Sequence, residues 1–199
     1  MTQSAVQPAF RDPARDAQDV FRAVMNALAR PGRIQRLGTG FTPPAPLGPT
    51  AAAILLALAD YETPLWLDTP LAGASGVAEF LRFHTGAKLI ATPEDAAFAV
   101  IAAPLGASPL SAFAQGTPDY PDRSTTVIFQ VEHLSPEGWR LAGPGIDRET
   151  GFGAEPLPEG FAHQLHDNRS RFPLGVDIIL AAPGAIAGLP RSTRILEAR

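Results

Sequence analysis

Cysteine is absent from this chain of 199 residues. That excludes disulfides, thiol nucleophiles, thiolate zinc sites and cysteine-held iron–sulfur clusters. Lysine is almost absent too: fifteen of the sixteen cationic side chains are Arg, and the single Lys88 is followed by Leu89. A Gly-x-x-x-x-Gly-Lys-Ser/Thr phosphate loop is therefore missing, and a Schiff-base enzyme would have only Lys88 to use. Charge is scarce, at 18% of residues, below the roughly 25% of typical soluble domains. With 45% of residues hydrophobic, much of the chain must be buried or face other subunits, and disorder is a poor explanation of it. Long apolar runs are missing as well. Residues 51–59 are apolar but only nine in number, and residues 178–190 are broken by Pro183, Gly184 and Gly188. Neither approaches the ~20 residues of a membrane span. No basic-then-apolar leader opens the chain, so a cytoplasmic protein with no membrane partner is expected.

Gly and Pro are plentiful, at 18 and 21. They predict many turns and short elements, and their lack of a fixed period excludes collagen and solenoid folds. The net charge of −4 is unevenly spread. Residues 1–36 carry six Arg against three Asp, and residues 169–199 carry five Arg against Asp177 and Glu197. The middle holds fifteen acidic and five cationic residues. If the two ends meet, they offer an Arg-rich surface to an anion; the alternative is that Arg simply replaces Lys on ordinary solvated faces. The acidic middle and few aromatics argue against a nucleic-acid groove.

Local signals place the elements. Asp12-Pro13 reads as the cap and first residue of a helix with Ala17, Phe21, Val24 and Leu28 on one apolar face, stopped by Arg30-Pro31-Gly32. A short strand follows at 33–37, and Thr50 is expected to cap a buried helix running to about Asp60. Strands are expected at 64–67, 89–91, 98–102, 125–131, 139–142 and 176–181, with a small one near Ile195. Helices are expected from Ser75 to Gly86, at 109–115 and at 157–168. Residues 135–138 read as a polar turn joining two of the strands. Such alternation predicts an α/β fold: one domain over 1–199, with a mixed sheet covered by helices on both faces.

Few motifs declare chemistry. Gly143-Pro144-Gly145 follows a strand, but Arg148 stands where a dinucleotide loop needs its third glycine, so a tight turn is expected. His163 and His166, with Glu159 a turn earlier, have ligand-like helical spacing but no third motif to complete a metal site. Arg82, His84 and Thr85 cluster at a helix end, where His84 suits either acid–base work or capping. Asp60, Glu62 and Asp68 flank one strand, as turn residues or as a carboxylate pair. Asp177 lies inside the apolar run 174–182 and needs a partner, for which Arg171 and Arg191 are the candidates.

Ordered blocks say more than any motif. Phe10-Arg11-Asp12-Pro13, Asp16-Ala17-Gln18, Phe21-Arg22 and Ala29-Arg30-Pro31-Gly32 resemble the start of the PhnH family, a subunit of bacterial carbon–phosphorus lyase. The later blocks follow in the same order: Leu58-Ala59-Asp60, Thr63-Pro64-Leu65-Trp66-Leu67 and Leu81-Arg82-Phe83-His84-Thr85. Gly143-Pro144-Gly145-Ile146 and Leu157-Pro158-Glu159 with His163 come next, then Phe172-Pro173-Leu174-Gly175-Val176-Asp177 and Leu189-Pro190-Arg191-Ser192-Thr193. The resemblance covers about residues 10–195.

It implies a fold like the large domain of PLP-dependent transferases without the cofactor, and partnership with the G, I and J subunits of the lyase core complex. It also implies an isolated homodimer, and a part in attaching the ribose triphosphate of ATP to methylphosphonate with release of adenine. No catalytic residue carries over. The residues expected to contact substrate or partner, all inside matched blocks, are Arg30, Arg82, His84, Asp177 and Arg191, because a guanidinium fork suits anions. The alternative is an independent, homodimeric ligand-binding protein or enzyme that uses a remnant pocket beside His84. No metal or other cofactor is expected.

Overall fold

The computed structural model describes residues 9–196. Asp12 opens α1 (Pro13–Ala29) by accepting the Arg15 N–H at 3.2 Å, and Asp16 reciprocates by accepting the Arg11 and Asp12 N–H groups. Pro31 pushes Arg30 to φ −132°, and Gly32, at φ +76°, completes the stop. The buried stripe is Val20, Val24 and Ala27, one residue round from the expected face, leaving Phe21 and Met25 about half exposed. Gly188 explains the rotation: a Cβ there would lie 2.7 Å from the Ala27 backbone, so the helix rests on this strand by its smallest residues.

The remaining elements are β1 (Gln35–Arg36), α2 (Pro49–Leu58), β2 (Pro64–Leu67), α3 (Thr69–Ala72), α4 (Ser75–Thr85), β3 (Lys88–Ile90) and β4 (Phe98–Ile101). After them come β5 (Thr126–Gln130), β6 (His133–Ala142), β7 (Thr150–Glu155), α5 (Phe161–Ser170), β8 (Asp177–Ala182), β9 (Ala185–Leu189) and β10 (Arg194–Leu196). Seven strands form a mixed sheet in the order β1-β9-β8-β5-β4-β2-β3, with β2, β3, β4, β5 and β8 parallel and β9 reversed. A second, antiparallel sheet has the order β10-β6-β7.

The main sheet divides two cores. Val100, Ile128, Ile179 and Ala181 face α1, α2 and α4, whereas Ala99, Ile101, Val127, Phe129, Ile178 and Leu180 face the opposite way. Strands buried on both faces read as continuous apolar runs, as these do. The α/β class, the mixed sheet and helices on both faces are as expected, but the two faces are covered unequally. One face carries three helices; the other carries α5 together with Leu141 and Phe152 of the small sheet.

Four local expectations are corrected. Gly48, not Thr50, caps α2; the Thr50 hydroxyl sits inside, donating to the Ala182 carbonyl at 2.7 Å and accepting from Gly184 N–H. Residues 109–115 make only a short 3₁₀ turn over Leu110–Ala112, and Gln115 instead bridges to Ser124. Residues 135–138 are not a turn from β5 but an irregularity within β6, whose partner is β7. Finally, α5 begins only after Gly160, whose left-handed φ of +67° separates it from the turn closed by Phe161 N–H to Pro158 C=O.

Candidate functional site

Asp177 opens β8 at the edge of an apolar strand, and Arg191 lies just beyond the end of the antiparallel β9. The hairpin brings them together. Arg191 Nε donates to Asp177 Oδ1 at 3.1 Å, Nη2 donates to Oδ2 at 2.6 Å, and the Arg191 backbone N–H reaches Oδ1 at 2.9 Å. The same guanidinium donates to the Pro121 carbonyl at 2.6 Å, the Pro173 carbonyl at 3.3 Å and the Ser124 hydroxyl. Of the two partners open to Asp177, Arg191 is the one used; Arg171 donates to Gln115 Oε1 instead. The two side chains are only 26% and 13% exposed, so carboxylate and guanidinium are held by a network of charge-assisted bonds. This node lies where β8 begins, opposite the strand ends at which α/β sheets hold ligands.

Arg30 caps α1 and donates to Asn26 Oδ1 at 2.5 Å. It borders a cavity of about 430 Å³ together with Arg33, Asp147 and Glu149. Two distant blocks meet at its base, because a Cβ on Gly145 would fall 2.1 Å from the Ala29 carbonyl oxygen. Residues 143–146 are a turn closed by Ile146 N–H to Gly143 C=O at 3.1 Å, and β7 rather than a helix follows.

Arg82 and His84 occupy the last turn of α4, which Gly86 ends at φ +72°. Arg82 is exposed, while half-buried His84 lies 4.5 Å from the Phe80 ring and 5.0 Å from Phe83, itself 70% exposed. Thr85 turns back to the Leu81 carbonyl at 2.7 Å. The five candidate residues therefore fall at three places: Asp177 with Arg191, Arg30 at the end of α1, and Arg82 with His84 at the end of α4.

The flanking carboxylates lie at opposite ends of β2 and do not pair. Asp60 accepts the Glu62 N–H at 2.9 Å and the Thr63 hydroxyl at 2.8 Å, which is turn chemistry. Asp68 sits at the C-terminal end, where the chain order reverses between β2 and β4. A crevice at such a point is where α/β sheets take ligands. Here Asp68 fills it: Oδ2 accepts the Ala102 and Ala103 N–H groups at 2.7 and 2.9 Å, and Oδ1 accepts that of Leu71. The amides that would receive a ligand are satisfied by the chain's own buried carboxylate.

The metal-like spacing also dissolves. Glu159 stands outside α5, and exposed His163 approaches Asp167 at 3.5 Å. Among the described residues no three His, Cys, Asp or Glu gather as metal ligands. Lys88 is exposed at the start of β3, an edge strand, so it does not fit a buried Schiff-base site. Among the described residues no helix is long and apolar enough to cross a membrane.

Sequence reasoning passed over Asn168, which is buried and brackets Val176: Nδ2 donates to its carbonyl at 2.9 Å and Oδ1 accepts its N–H at 2.8 Å. An Asn near the expected helix end, followed by Gly175, was the available signal. A Cβ on Gly175 would lie 2.7 Å from Asn168 Oδ1.

The family model for bacterial phosphonate metabolism protein (PhnH) matches residues 8–196. The chain is 41% identical over 190 residues to the "alpha-D-ribose 1-methylphosphonate 5-triphosphate synthase subunit PhnH" of Rhizobium meliloti (strain 1021), covering 94% of each chain. It is also 32% identical over 195 residues to the "Putative C-P lyase subunit protein HtxG" of Stutzerimonas stutzeri, covering 89% of this chain and 85% of the relative.

Proposed function

The chain belongs to the PhnH family, and we propose that it serves as a subunit of the carbon–phosphorus lyase complex in phosphonate catabolism. With its partners it is required to move the ribose triphosphate of ATP onto methylphosphonate, releasing adenine. The observation that carries this reading is the 41% identity to a named synthase subunit along 94% of both chains.

The site geometry supports a subunit whose chemistry is completed by others. Asp68 and the Asp177–Arg191 pair are engaged in holding strands and loops together. Exposed Arg82 with Phe83, and Phe21 with Met25 on α1, are side chains available to a neighbour. We assign the first pair to contact with the G, I and J subunits, and the second to a homodimer of the isolated chain. The two cores share one sheet, which supports a single domain. The mixed seven-stranded sheet supports kinship with the large domain of PLP-dependent transferases, with Lys88 misplaced for their cofactor. A cytoplasmic location suits an ATP-using complex. The independent-enzyme reading has no observation of its own in its favour.

Co-expression of tagged chain with its G, I and J partners tests the proposal. A complex that releases adenine from ATP and methylphosphonate only when this chain is present is expected; partners fully active without it would overturn the reading.

A further inference from the structure

A cavity of about 640 Å³ lies between the start of α1 and the chain leaving β1. Its volume is that of a small-molecule site. Val20 and Leu37, both buried, and Phe10 give it an apolar floor. Arg11, Arg15 and Arg36 stand around it, contributed by the residue before the α1 cap, by α1 itself and by β1.

Three aspartates also line this cavity, yet each is spoken for. Asp12 accepts the Arg15 backbone N–H, Asp16 accepts those of Arg11 and Asp12, and Asp19 pairs with Arg22 at 3.3 Å. Of the first-turn amides, that of Arg15 is capped by Asp12 and that of Asp16 bonds to the Asp12 carbonyl, and no anion site is placed on the helix end itself. None of the three guanidiniums has a hydrogen-bonding or ion-pair partner among the described residues. Gly38 and Gly40 leave the wall open, and a Cβ on Gly38 would meet nothing within 4 Å.

We propose that Arg11, Arg15 and Arg36 form a binding site for an oligophosphate, with the floor of Phe10, Val20 and Leu37 taking the less polar part of the same ligand. Guanidinium forks from separate elements can each donate two hydrogen bonds to phosphate oxygens, which suits a chain of phosphates better than a single carboxylate. The inference deepens the reading above and rests on it for the choice of ligand, since the relative's name specifies a 5-triphosphate.

Calorimetric titration of the full-length chain with inorganic tripolyphosphate at low salt tests it. Saturable one-to-one binding is expected, weakened at least tenfold by Arg15→Ala and by Arg36→Ala. Gly38→Asp, which adds a carboxylate where a Cβ has open space, should weaken it likewise, and Arg148→Ala, outside the cavity lining, should not. Absence of binding, or equal loss in Arg148→Ala and Arg36→Ala, overturns the site. Thermal melts confirm that the variants are folded, and Gly38→Asp keeps the test decisive if an Arg variant is not. A chain that supports adenine release but binds no tripolyphosphate loses this inference and keeps the reading above. Binding without any contribution to adenine release does the reverse.

Discussion

Asp177 and Arg191 are fourteen residues apart in sequence and bonded through three hydrogen bonds, one from the backbone and two from the guanidinium. The pair joins the start of β8 to the segment after β9, and through Pro121, Pro173 and Ser124 it fastens two further loops. Arg191→Ala leaves the half-buried Asp177 carboxylate with only the backbone N–H of residue 191, and Asp177→Ala leaves the guanidinium without its counter-charge. We expect Arg191→Ala to cost about 2–3 kcal/mol, seen as a fall in melting temperature of about 4–12 °C. Asp177→Ala should cost a similar amount, and the double variant less than the sum. Additive losses in thermal or urea unfolding would show that the pair does not act as a unit.

Arg82 contrasts with Arg191. It is exposed on the last turn of α4, so Arg82→Ala should change stability by no more than about 0.5 kcal/mol while weakening activity of the assembled complex. Unfolding and adenine release measured on the same preparation separate the two effects. Full activity with Arg82→Ala would remove this residue from the partner surface.

Asp68 closes the crevice between β2 and β4 by accepting three backbone N–H groups. Asp68→Ala leaves the donors of buried Leu71 and half-buried Ala102 without an acceptor, while that of exposed Ala103 can turn to water, a loss of about 2–4 kcal/mol. Asp68→Asn keeps part of the acceptor set and should fall between. Urea unfolding reads both; equal stability of Asp68→Ala and the parent would contradict a stapling role.

Gly145 and Gly184 separate two reasons for glycine. Both have positive φ, at +81° and +72°, but a Cβ at Gly145 meets the Ala29 carbonyl at 2.1 Å whereas Gly184 faces open space. Gly184→Ala should cost about 1–2 kcal/mol for the left-handed backbone alone. Gly145→Ala should cost more, or prevent accumulation of folded protein, because backbone would have to shift. Equal costs would mean that the junction between α1 and the 143–146 turn is softer than its geometry.

What the sequence revealed was mainly local. Asp12, Pro13 and the Arg30-Pro31-Gly32 stop act on the backbone within a few residues, so α1 was legible, as was α4 ending at Gly86. Asp177 was legible because a carboxylate in an apolar run demands a partner. β7 was not: Gly151 and Gly153 weaken a strand pattern, and their reason is tertiary. Cβ atoms there would lie 2.3 and 2.4 Å from the Pro136 and Glu137 carbonyls of the irregular β6. Thr50 read as a cap because hydroxyls favour caps, while its bonds to Ala182 and Gly184 depend on a hairpin 132 residues away. Which face of α1 is buried depended on Gly188, equally remote. The five candidate residues were found as members of ordered blocks, and only folding divides them among three places.

The central claim is that this chain is an obligatory subunit of a phosphonate-processing complex, and adenine release tests it most directly. Partners purified together should release adenine from ATP and methylphosphonate when the chain is added and lose that activity when it is omitted. Undiminished adenine release from partners that never met this chain would contradict the account.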